Sequence, residues 1–434
     1  MMEGIKDRGK IVTAAGTGIN LALGVLYTWS IFKGEIKRSI ESGGEGAFNW
    51  SLSSLNDPYA LCCLVFASMM IVAGKCQDLL GPRKTAIMGG LLVGLGFILI
   101  STTTSYVIWI AGFGFLVGSG IAFGYSSATP PALKWYPPTK TGKIAGIVVS
   151  GFGLAAVYIA PLAQYLLKTI GLQQSMLFFG IAFFIIVTLL AILLINPPDG
   201  YVPRGFVDRR KKEGDAPGIR SQIEDNETGP LAMIRTAEFW ELWLLYFIGA
   251  GAGLMVIGSV AGMAKESLGA NAFWAVAILA IGNAAGRIAA GALSDKVGRR
   301  STLAAIFSFQ ALLMFIAVMA IGTGGPVVLV LLATFIGFNY GANLALFPSF
   351  AKDMWGMKNF GVNYGILFTA WGVGGFVMSR ASQTLLSTTG TFNSSFMTSG
   401  ILLLAGAGLT FLVRDKKDEA RRKAARQIAK QIPV

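Results

Sequence analysis

Histidine is absent from the 434 residues, and only three cysteines are present, Cys62, Cys63 and Cys76. The first absence removes the commonest metal ligand and the side chain that ordinarily titrates near neutral pH. The cysteines lie in or beside one apolar run without metal-ligand spacing, so we interpret them as small packing residues. We therefore expect no metal, no cofactor and no disulfide framework. The composition also disfavours an enzyme, because intramembrane catalysis usually needs histidine, aspartate or metal clusters.

Charged residues are scarce as well. Only 13% of the residues are charged, whereas 54% are hydrophobic and the mean hydropathy is +0.63. A water-soluble protein of this length needs more polar surface to cover its core. Twelve apolar runs are each long enough to cross a hydrocarbon layer as a helix. They cover residues 11–32, 59–75, 84–102, 106–128, 144–168, 174–195, 239–263, 271–291, 300–321, 326–349, 361–388 and 395–413. The sequence predicts an all-α integral membrane protein with 12 transmembrane helices.

Positive charge is distributed unevenly between the two sides of the predicted bundle. With the N-terminus in the cytoplasm, 29 of the 36 Lys and Arg residues fall in cytoplasmic loops and tails. This is the positive-inside bias that sets membrane topology, so we predict that both termini are cytoplasmic. The polar first ten residues lead directly into the first run, which favours an uncleaved insertion signal. The basic tail is expected to contact anionic lipid headgroups, and no nucleic acid is expected as a partner.

One long polar insert divides the chain into two blocks of six runs. The insert is rich in charged residues and glycine and begins at a Pro-Pro pair, which is typical of a linker. We predict an N-terminal six-helix bundle at 1–195 and a cytoplasmic linker at 196–238 with a short interfacial helix near Leu231. A C-terminal six-helix bundle follows at 239–413, and a basic cytoplasmic tail at 414–434.

The two blocks contain the same short loop motif. The pattern G-x-x-x-D-x-x-G-x-[RK] runs from Gly74 to Arg83 after the second run, and from Gly291 to Arg300 after the eighth. The glycines can end a helix and turn the loop, and the aspartate can face a neighbouring helix N-terminus. The same pattern at matching points of both blocks is a specific signal of an internal repeat.

This repeated loop resembles the motif of the major facilitator superfamily, and the resemblance covers essentially the whole chain. It implies two six-helix bundles with a substrate site midway between them. It also implies that the loop residues form a conformational latch, made by Asp78, Arg83, Asp295 and Arg299.

The predicted membrane interior contains an arginine but no acid. All 22 acidic residues lie in loops, tails or helix ends, whereas Arg287 lies inside the eighth run. A buried arginine costs about 2.5–3.5 kcal/mol on insertion scales, so it normally has a carboxylate partner. We predict that the substrate supplies the carboxylate, which a guanidinium can hold through two hydrogen bonds. Asn283 lies one turn earlier on the same face, where its amide can bond the guanidinium or the substrate.

Four short stretches narrow the resemblance to the oxalate:formate antiporters and the related monocarboxylate transporters. They are Leu26–Ser30, Glu238–Trp240, Leu346–Ser349 and Asn363–Gly365. In the monocarboxylate branch, an acid stands four residues before the substrate arginine, where this chain has Asn283. In the oxalate branch, a lysine in helix 11 provides a second positive charge, and the corresponding residue here is Trp371. One cation fits one carboxylate, so the chain resembles a bacterial relative of the monocarboxylate transporters.

The resemblance implies a function and a set of site residues. We expect a secondary active transporter of small monocarboxylates, such as lactate, pyruvate or short-chain acids, in a prokaryotic inner membrane. Transport is expected to be proton-coupled symport by a monomer. The substrate-binding residues implied are Arg287, Asn283, Tyr27, Leu26, Tyr125, Tyr340, Phe368 and Trp371. Aromatic walls with phenol hydroxyls suit a small acid with an apolar tail.

Two other functions stay open at this point. An organic anion antiporter of the oxalate:formate kind is disfavoured by Trp371, and a receptor that has kept a transporter fold is the alternative from another class. A cation exporter would usually need an intramembrane carboxylate. Near the outer face, we interpret Asp57 as the N-cap of the second helix and Arg380 as a structural residue that reaches the membrane interface.

Overall fold

The computed structural model describes residues 7–44, 46–198, 200–203, 227–268, 272–320 and 325–413, and within these it contains helices and no strand. We call the helices before the linker the N-half and those after it the C-half. The N-half contains α1 (Gly9–Leu23), α2 (Trp29–Ser42), α3 (Asp57–Leu80), α4 (Pro82–Ser101), α5 (Tyr106–Trp109), α6 (Gly118–Lys134) and α7 (Thr141–Ile192). The short helix α8 (Pro230–Ile234) ends the linker. The C-half contains α9 (Ala237–Leu268), α10 (Ala272–Val297), α11 (Arg299–Ala320), α12 (Pro326–Trp355), α13 (Phe360–Thr389) and α14 (Asn393–Leu409).

Most of these helices are long and apolar enough to cross a membrane. Within the described residues, nine helical stretches meet that condition. One of them contains α7, which is two helices joined at Gly171, where the backbone is not helical (φ 76°, ψ 176°). The structure confirms the predicted all-helical membrane fold, while the count of 12 spans and the cytoplasmic termini remain predictions. The basic tail and linker residues 204–226 lie outside the described residues.

The first span is interrupted in its middle. Residues Gly24–Thr28 form a 3₁₀ segment between α1 and α2. A side chain at Gly24 would overlap the Cβ of Ala155 and come close to the Phe152 carbonyl oxygen, so glycine lets this segment touch α7. Mid-helix 3₁₀ turns often mark functional positions. This one carries Leu26 and Tyr27.

The two halves meet mainly through two pairs of helices, α7 with α10 and α3 with α13. In the first pair, a Cβ at Gly142 would overlap the Gly291 carbonyl oxygen. In the second, a Cβ at Gly74 would overlap the Gly361 carbonyl oxygen. We call the end of the bundle where these contacts and the repeated loops lie the motif face. Backbones in direct contact close the two halves against each other there.

Two predicted outer-face residues can be compared with the structure. The Asp57 prediction is wrong in detail, because the N-cap of α3 is Asn56 and Asp57 is the first helical residue, followed by Pro58. Its carboxylate instead accepts a hydrogen bond from the Tyr106 hydroxyl at 2.7 Å. Arg380 is exposed, and its guanidinium lies 5.8 Å from the ring centre of Phe376. A structural role at the lipid-facing surface agrees with this position.

Close packing within the N-half gives a stability prediction. A Cβ at Gly151 of α7 would overlap the Thr17 carbonyl oxygen of α1. We expect Gly151→Val to force these helices apart and to destabilise the protein by about 1–3 kcal/mol, the usual cost of overpacking. Thermal unfolding in detergent measures this effect. The matched control is Gly34→Val, at a helical glycine with no atom near its Cβ position. Equal melting temperatures for the two variants would contradict the packing.

Candidate substrate-binding site

The Arg287 side chain is completely buried where α10 of the C-half meets α7 of the N-half. Its Nε donates to Asn283 Oδ1 at 2.9 Å, and its Nη1 donates to the Val149 carbonyl oxygen at 2.5 Å. Its Nη2 lies 3.5 Å from the Tyr27 hydroxyl oxygen. All three partners are neutral, and among the described residues no carboxylate contacts the guanidinium. Within the described part of the chain, Arg287 therefore bridges the two halves as a positive charge without an acidic partner.

Glycines on α7 make this approach possible. A Cβ at Gly146 would overlap the Arg287 carbonyl oxygen, and a Cβ at Gly153 would lie 2.8 Å from Asn283 Oδ1. Without side chains at these positions, the backbone of α7 comes close enough for the Val149 carbonyl to accept from the guanidinium. Asn283, which the sequence left to bind either arginine or substrate, binds the arginine in this structure.

Polar aromatic side chains lie beside the guanidinium. The Trp371 indole N–H donates to the Tyr340 hydroxyl at 2.8 Å, and both side chains are buried. Tyr27 comes from the 3₁₀ segment of the first span and packs its ring edge against Phe152, with centroids 5.4 Å apart. Leu26 is buried in the same turn. The structure thus brings residues of the first, tenth and eleventh predicted spans to the level of Arg287.

An aromatic cluster from both halves surrounds this position. Phe368 stacks on Trp371 at 5.1 Å, and Tyr125 lies 5.7 Å from Phe368, between ring centroids. Phe66 contacts both Phe368 and Trp371 across the two halves, at 5.1 and 5.5 Å. The sequence-based prediction did not include four further members of this cluster, which are Phe66, Phe152, Tyr246 and Tyr364. Aromatic residues in an apolar run carry no signal that separates them from ordinary packing residues.

Several phenol oxygens in the cluster are available for hydrogen bonding. The hydroxyls of Tyr125, Tyr246 and Tyr364 are buried and approach one another without a hydrogen bond of good geometry. Buried polar atoms usually have partners, so such groups are typical of sites that bind a ligand or water. No group of three or more His, Cys, Asp or Glu side chains that could hold a metal ion occurs within the described part of the chain.

The loop aspartates connect the two halves at the motif face. Asp78 of α3 accepts from the backbone N–H groups of Gly361 and Val362, at 3.0 and 2.9 Å. Asp295 of α10 accepts from the N–H groups of Gly142 and Lys143, both at 2.8 Å. Each carboxylate thus bonds the first turn of a helix in the other half, where unpaired N–H groups and the helix dipole favour an anion.

The two arginines of the predicted latch differ in burial and in their contacts. Arg299 is buried and donates to Asp295 Oδ1 at 2.8 Å and to Asp353 Oδ2 at 2.9 Å. Arg83 is exposed, and it has no hydrogen bond or ion pair with any residue that the structure describes. The structure therefore joins Asp295 and Arg299 in one network and leaves Arg83 outside the contact.

These observations identify the class of protein as a helical membrane protein built from two similar halves. The described helices are apolar, two sets of them meet around a buried cation, and repeated loops connect the sets at one face. The family model of the Major Facilitator Superfamily matches residues 11–379 and 274–433. The chain belongs to the Major Facilitator Superfamily and is a multi-pass membrane transporter, not an enzyme.

The chain is similar to several known transporters along most of its length. It is 28% identical to the uncharacterized MFS-type transporter YhjX of Escherichia coli over 85% of this chain and 86% of that protein. It is 25% identical to the oxalate:formate antiporter of Oxalobacter formigenes over 90% and 88%. It is 27% identical to monocarboxylate transporter 13 of Rattus norvegicus over 76% and 73%. These relatives support the sequence resemblance to both transporter branches.

A solved structure supports the fold. The outward conformation of the transporter FucP superposes with a TM-score of 0.65 at 15% identity, covering 94% of this chain and 99% of that one. At this identity the comparison is informative for the fold alone. It confirms the major facilitator fold that the repeated loops predicted.

The aspartate contacts at the motif face predict a conformational effect. We expect Asp295→Asn to weaken the bonds to Gly142 and Lys143 and so to populate structures in which the motif face is open. Spin labels at exposed Arg83 and Lys358, one in each half, would report a longer distance population by double electron–electron resonance. Asp57→Asn, away from the motif face, is the matched control. An unchanged distance distribution in Asp295→Asn would contradict a closing role.

Proposed function

We propose that this chain is a secondary active transporter of small monocarboxylates that works by alternating access with proton symport. The observation that carries the proposal is the guanidinium of Arg287, fully buried between the halves with only neutral described partners. A carboxylate would replace neutral acceptors with a charge-assisted pair, and such hydrogen bonds are roughly twice as strong as neutral ones. The anion thus balances the membrane-buried charge.

The number of charges supports one carboxylate on the substrate. Among the described residues, Arg287 is the buried cation beside the Tyr27 hydroxyl, while the place implied for a second cation is occupied by Trp371. The Trp371 indole N–H is already bonded to Tyr340, so this pair presents a polar but uncharged surface. A second carboxylate would be buried without a counterion, which is costly in a site of low dielectric.

The aromatic cluster supports a small substrate with an apolar part. Rings of both halves approach each other within 5–6 Å between centroids, including Phe66 with Phe368 and Tyr125 with Phe368. Flat apolar surfaces fit a short carbon chain, and the buried phenol hydroxyls of Tyr125, Tyr246 and Tyr364 can bond a hydroxyl or keto group. Lactate, pyruvate and short-chain acids have this combination of features.

The contacts of Arg287 suggest how the substrate is coupled to movement. Its Nη1 bonds Val149 of the N-half, and its Nε bonds Asn283 of its own helix. A guanidinium presents five N–H groups, so a carboxylate can bind beside these acceptors or replace one of them. If Val149 is displaced, a hydrogen bond between the halves is exchanged for a bond to the substrate, and binding then shifts the population of conformations.

Further parts of the proposal concern the membrane, the topology and the coupling proton. The motif face is assigned to the cytoplasm from the distribution of positive charge, with the termini and the linker on the same side. We place the protein in a prokaryotic inner membrane and propose that it is a monomer. The boundaries of its two bundles, its linker and its tail are those predicted from the sequence. Because no acid contacts Arg287 among the described residues, we place the coupling proton on a carboxylate at the rim of the bundle.

An alternative function is organic anion exchange. It is favoured by the similarity to the oxalate:formate antiporter, which extends over 90% of this chain. Exchange and symport use the same guanidinium but differ in the return step, because an exchanger returns with a second anion bound whereas a symporter returns without substrate.

The first prediction from this proposal concerns Arg287. We expect Arg287→Ala to reduce uptake of labelled lactate or pyruvate by proteoliposomes on the order of 100-fold or more, since it removes two charge-assisted hydrogen bonds. Arg287→Lys should retain the charge but bind more weakly, because an ammonium cannot form the planar paired contact. A panel of unlabelled mono- and dicarboxylates competing for uptake identifies the class of substrate.

The exposed arginine provides a matched control for that experiment. Arg380→Ala removes the same side chain from the lipid-facing surface and should leave uptake unchanged. Anion uptake that persists in correctly folded Arg287→Ala would refute the site. Competition by dicarboxylates alone would instead refute the assignment to monocarboxylates.

The second prediction concerns energy coupling. Proton symport predicts that an inward-directed proton gradient drives accumulation of the labelled acid and that a protonophore abolishes it. Exchange predicts rapid counterflow against an internal anion pool, with no net accumulation from the gradient. Gradient-independent oxalate counterflow would favour the antiporter, and it would remove the proton from the mechanism.

A further inference from the structure

A lysine of the C-half reaches the first residue of α7 in the N-half. Lys352 lies near the end of α12, which packs against α7, and its ammonium donates a hydrogen bond to the Thr141 hydroxyl at 2.9 Å. Lys352 is half-buried, whereas Thr141 is 1% exposed. The bond joins side chains of different halves and is separate from the aspartate contacts of the repeated loops.

The Thr141 hydroxyl is oriented by its own half. It donates its hydrogen to the Pro138 carbonyl oxygen at 3.0 Å, in the turn that precedes α7. A hydroxyl has one hydrogen and two lone pairs, so this bond leaves the oxygen free to accept from Lys352. An ammonium can only donate, and Lys352 forms no ion pair with any carboxylate that the structure describes. The contact therefore has a defined donor and a defined acceptor.

This contact adds to bonds that the start of α7 already makes with the C-half. Gly142 and Lys143, which follow Thr141, donate their backbone N–H groups to Asp295. Three successive residues of α7 are thus bonded to the C-half, two through the Asp295 carboxylate and one through the Lys352 ammonium. Each bond has its donor and its acceptor in different halves, so all three break when the motif face opens.

The equivalent interface between α3 and α13 lacks an acceptor at the matching position. There Asp78 bonds the N–H of Gly361, as Asp295 bonds the N–H of Gly142. The residue that takes the place of Thr141 is therefore Phe360, whose ring offers no oxygen or nitrogen acceptor.

The lysine itself occurs in both halves. Lys352 follows Pro348 by the same spacing, Pro-x-x-x-Lys, at which Lys134 follows Pro130 near the end of α6. The internal repeat has thus kept a lysine at the end of both helices, while a hydroxyl that can accept from it stands at the start of α7 and not at Phe360. The difference makes the contact specific to one interface.

We propose that Lys352 is a closing residue, which stabilises the closed motif face through its hydrogen bond to Thr141 across the two halves. When the halves separate, water can solvate both groups, so the bond adds a moderate preference for closure to that of Asp78 and Asp295. Because the acceptor is a neutral hydroxyl, Thr141 can be altered without changing any charge at the interface. This role rests on the alternating access proposed above but not on the identity of the anion.

The test measures how often the motif face opens. A reporter cysteine replaces Gln77, which is 2% exposed and lies beside Gly361 of the other half, in a background where Cys62, Cys63 and Cys76 are alanine. The rate of modification of this cysteine by a maleimide, with the protein in nanodiscs, reports opening. We expect Thr141→Val, which keeps the shape of the side chain, to raise this rate about threefold to tenfold, the effect of one hydrogen bond of ordinary net strength.

A double-mutant cycle assigns the effect to the pair of residues. Lys352→Met should also raise the labelling rate, and adding Thr141→Val to Lys352→Met should have no further effect, since both substitutions remove one interaction. Thr141→Ser keeps the hydroxyl and should label at the rate of the unsubstituted reporter protein.

A matched control separates closure from local folding. Thr85 is a buried threonine near the start of α4, and its hydroxyl donates to the Gly81 carbonyl oxygen at 2.9 Å within the N-half. Thr85→Val should therefore leave the reporter rate unchanged. The proposal is overturned if Thr141→Val labels at the rate of Thr85→Val, or if the effects of Thr141→Val and Lys352→Met multiply.

A positive control distinguishes failure of this contact from failure of the proposed transport cycle. Asp295→Asn weakens the bonds to Gly142 and Lys143 and should raise labelling of the reporter with Lys352 and Thr141 intact. If the reporter stays unlabelled in every variant, Asp295→Asn included, alternating access itself is contradicted, and the closing role of Lys352 is overturned with it.

Discussion

A buried guanidinium at the interface of the two halves imposes the strongest constraint on this structure. Arg287 cannot reach water, so every N–H that it presents must find an acceptor from the protein or from a bound molecule. Among the described residues, its own helix supplies Asn283, and the next acceptor is a backbone carbonyl of α7. A carbonyl can be reached only if two helix backbones come together, which explains the glycines on α7 at this depth. The arginine and the close packing of α7 with α10 therefore require each other.

Closure at the motif face uses a different kind of interaction, one that can be reversed at low cost. Asp78 and Asp295 bond backbone N–H groups in the first turn of a helix, and water can satisfy both groups when the halves separate. Carboxylates and N–H groups are well hydrated when exposed, so under the proposed alternating access these bonds would favour closure without making it permanent. The glycine contacts beside them allow close packing, because small residues let the two helix backbones approach each other.

The sequence predicted the features that depend on charge and repetition. Arg287 was identifiable because an arginine without an intramembrane acid is costly, and Asp78 and Asp295 because their loop occurs twice. The two loops also differ in sequence, and the consequence of that difference becomes clear only in the structure. In the repeat, Arg83 corresponds to Arg300, whereas the buried Arg299 corresponds to Pro82, so the first loop lacks the arginine that joins Asp295 to Asp353.

Other parts of the site could not be derived from residue types. The acceptor at Val149 is a backbone atom, and any residue would present the same carbonyl. Phe66 and Phe152 belong to the aromatic cluster because of the way each helix is rotated about its axis. A uniformly apolar run does not show which of its faces points inward. Asp57 illustrates the limit at helix ends, since Asn56 and Asp57 are both good capping residues and only the backbone shows which of them begins α3.

The two interfaces between the halves are equivalent in the repeat but differ in chemistry. Along α7 and α10, Asp295 bonds the helix start at Gly142, and Arg287 bonds Val149 about 10 Å further along. Along α3 and α13, Asp78 makes the equivalent bond at Gly361, but at the depth of the site the contact is between the rings of Phe66, Phe368 and Trp371. One interface is thus polar and the other aromatic where a substrate would lie. A monocarboxylate likewise has a charged end and an apolar part. Both interfaces can orient it only when the two halves are close together.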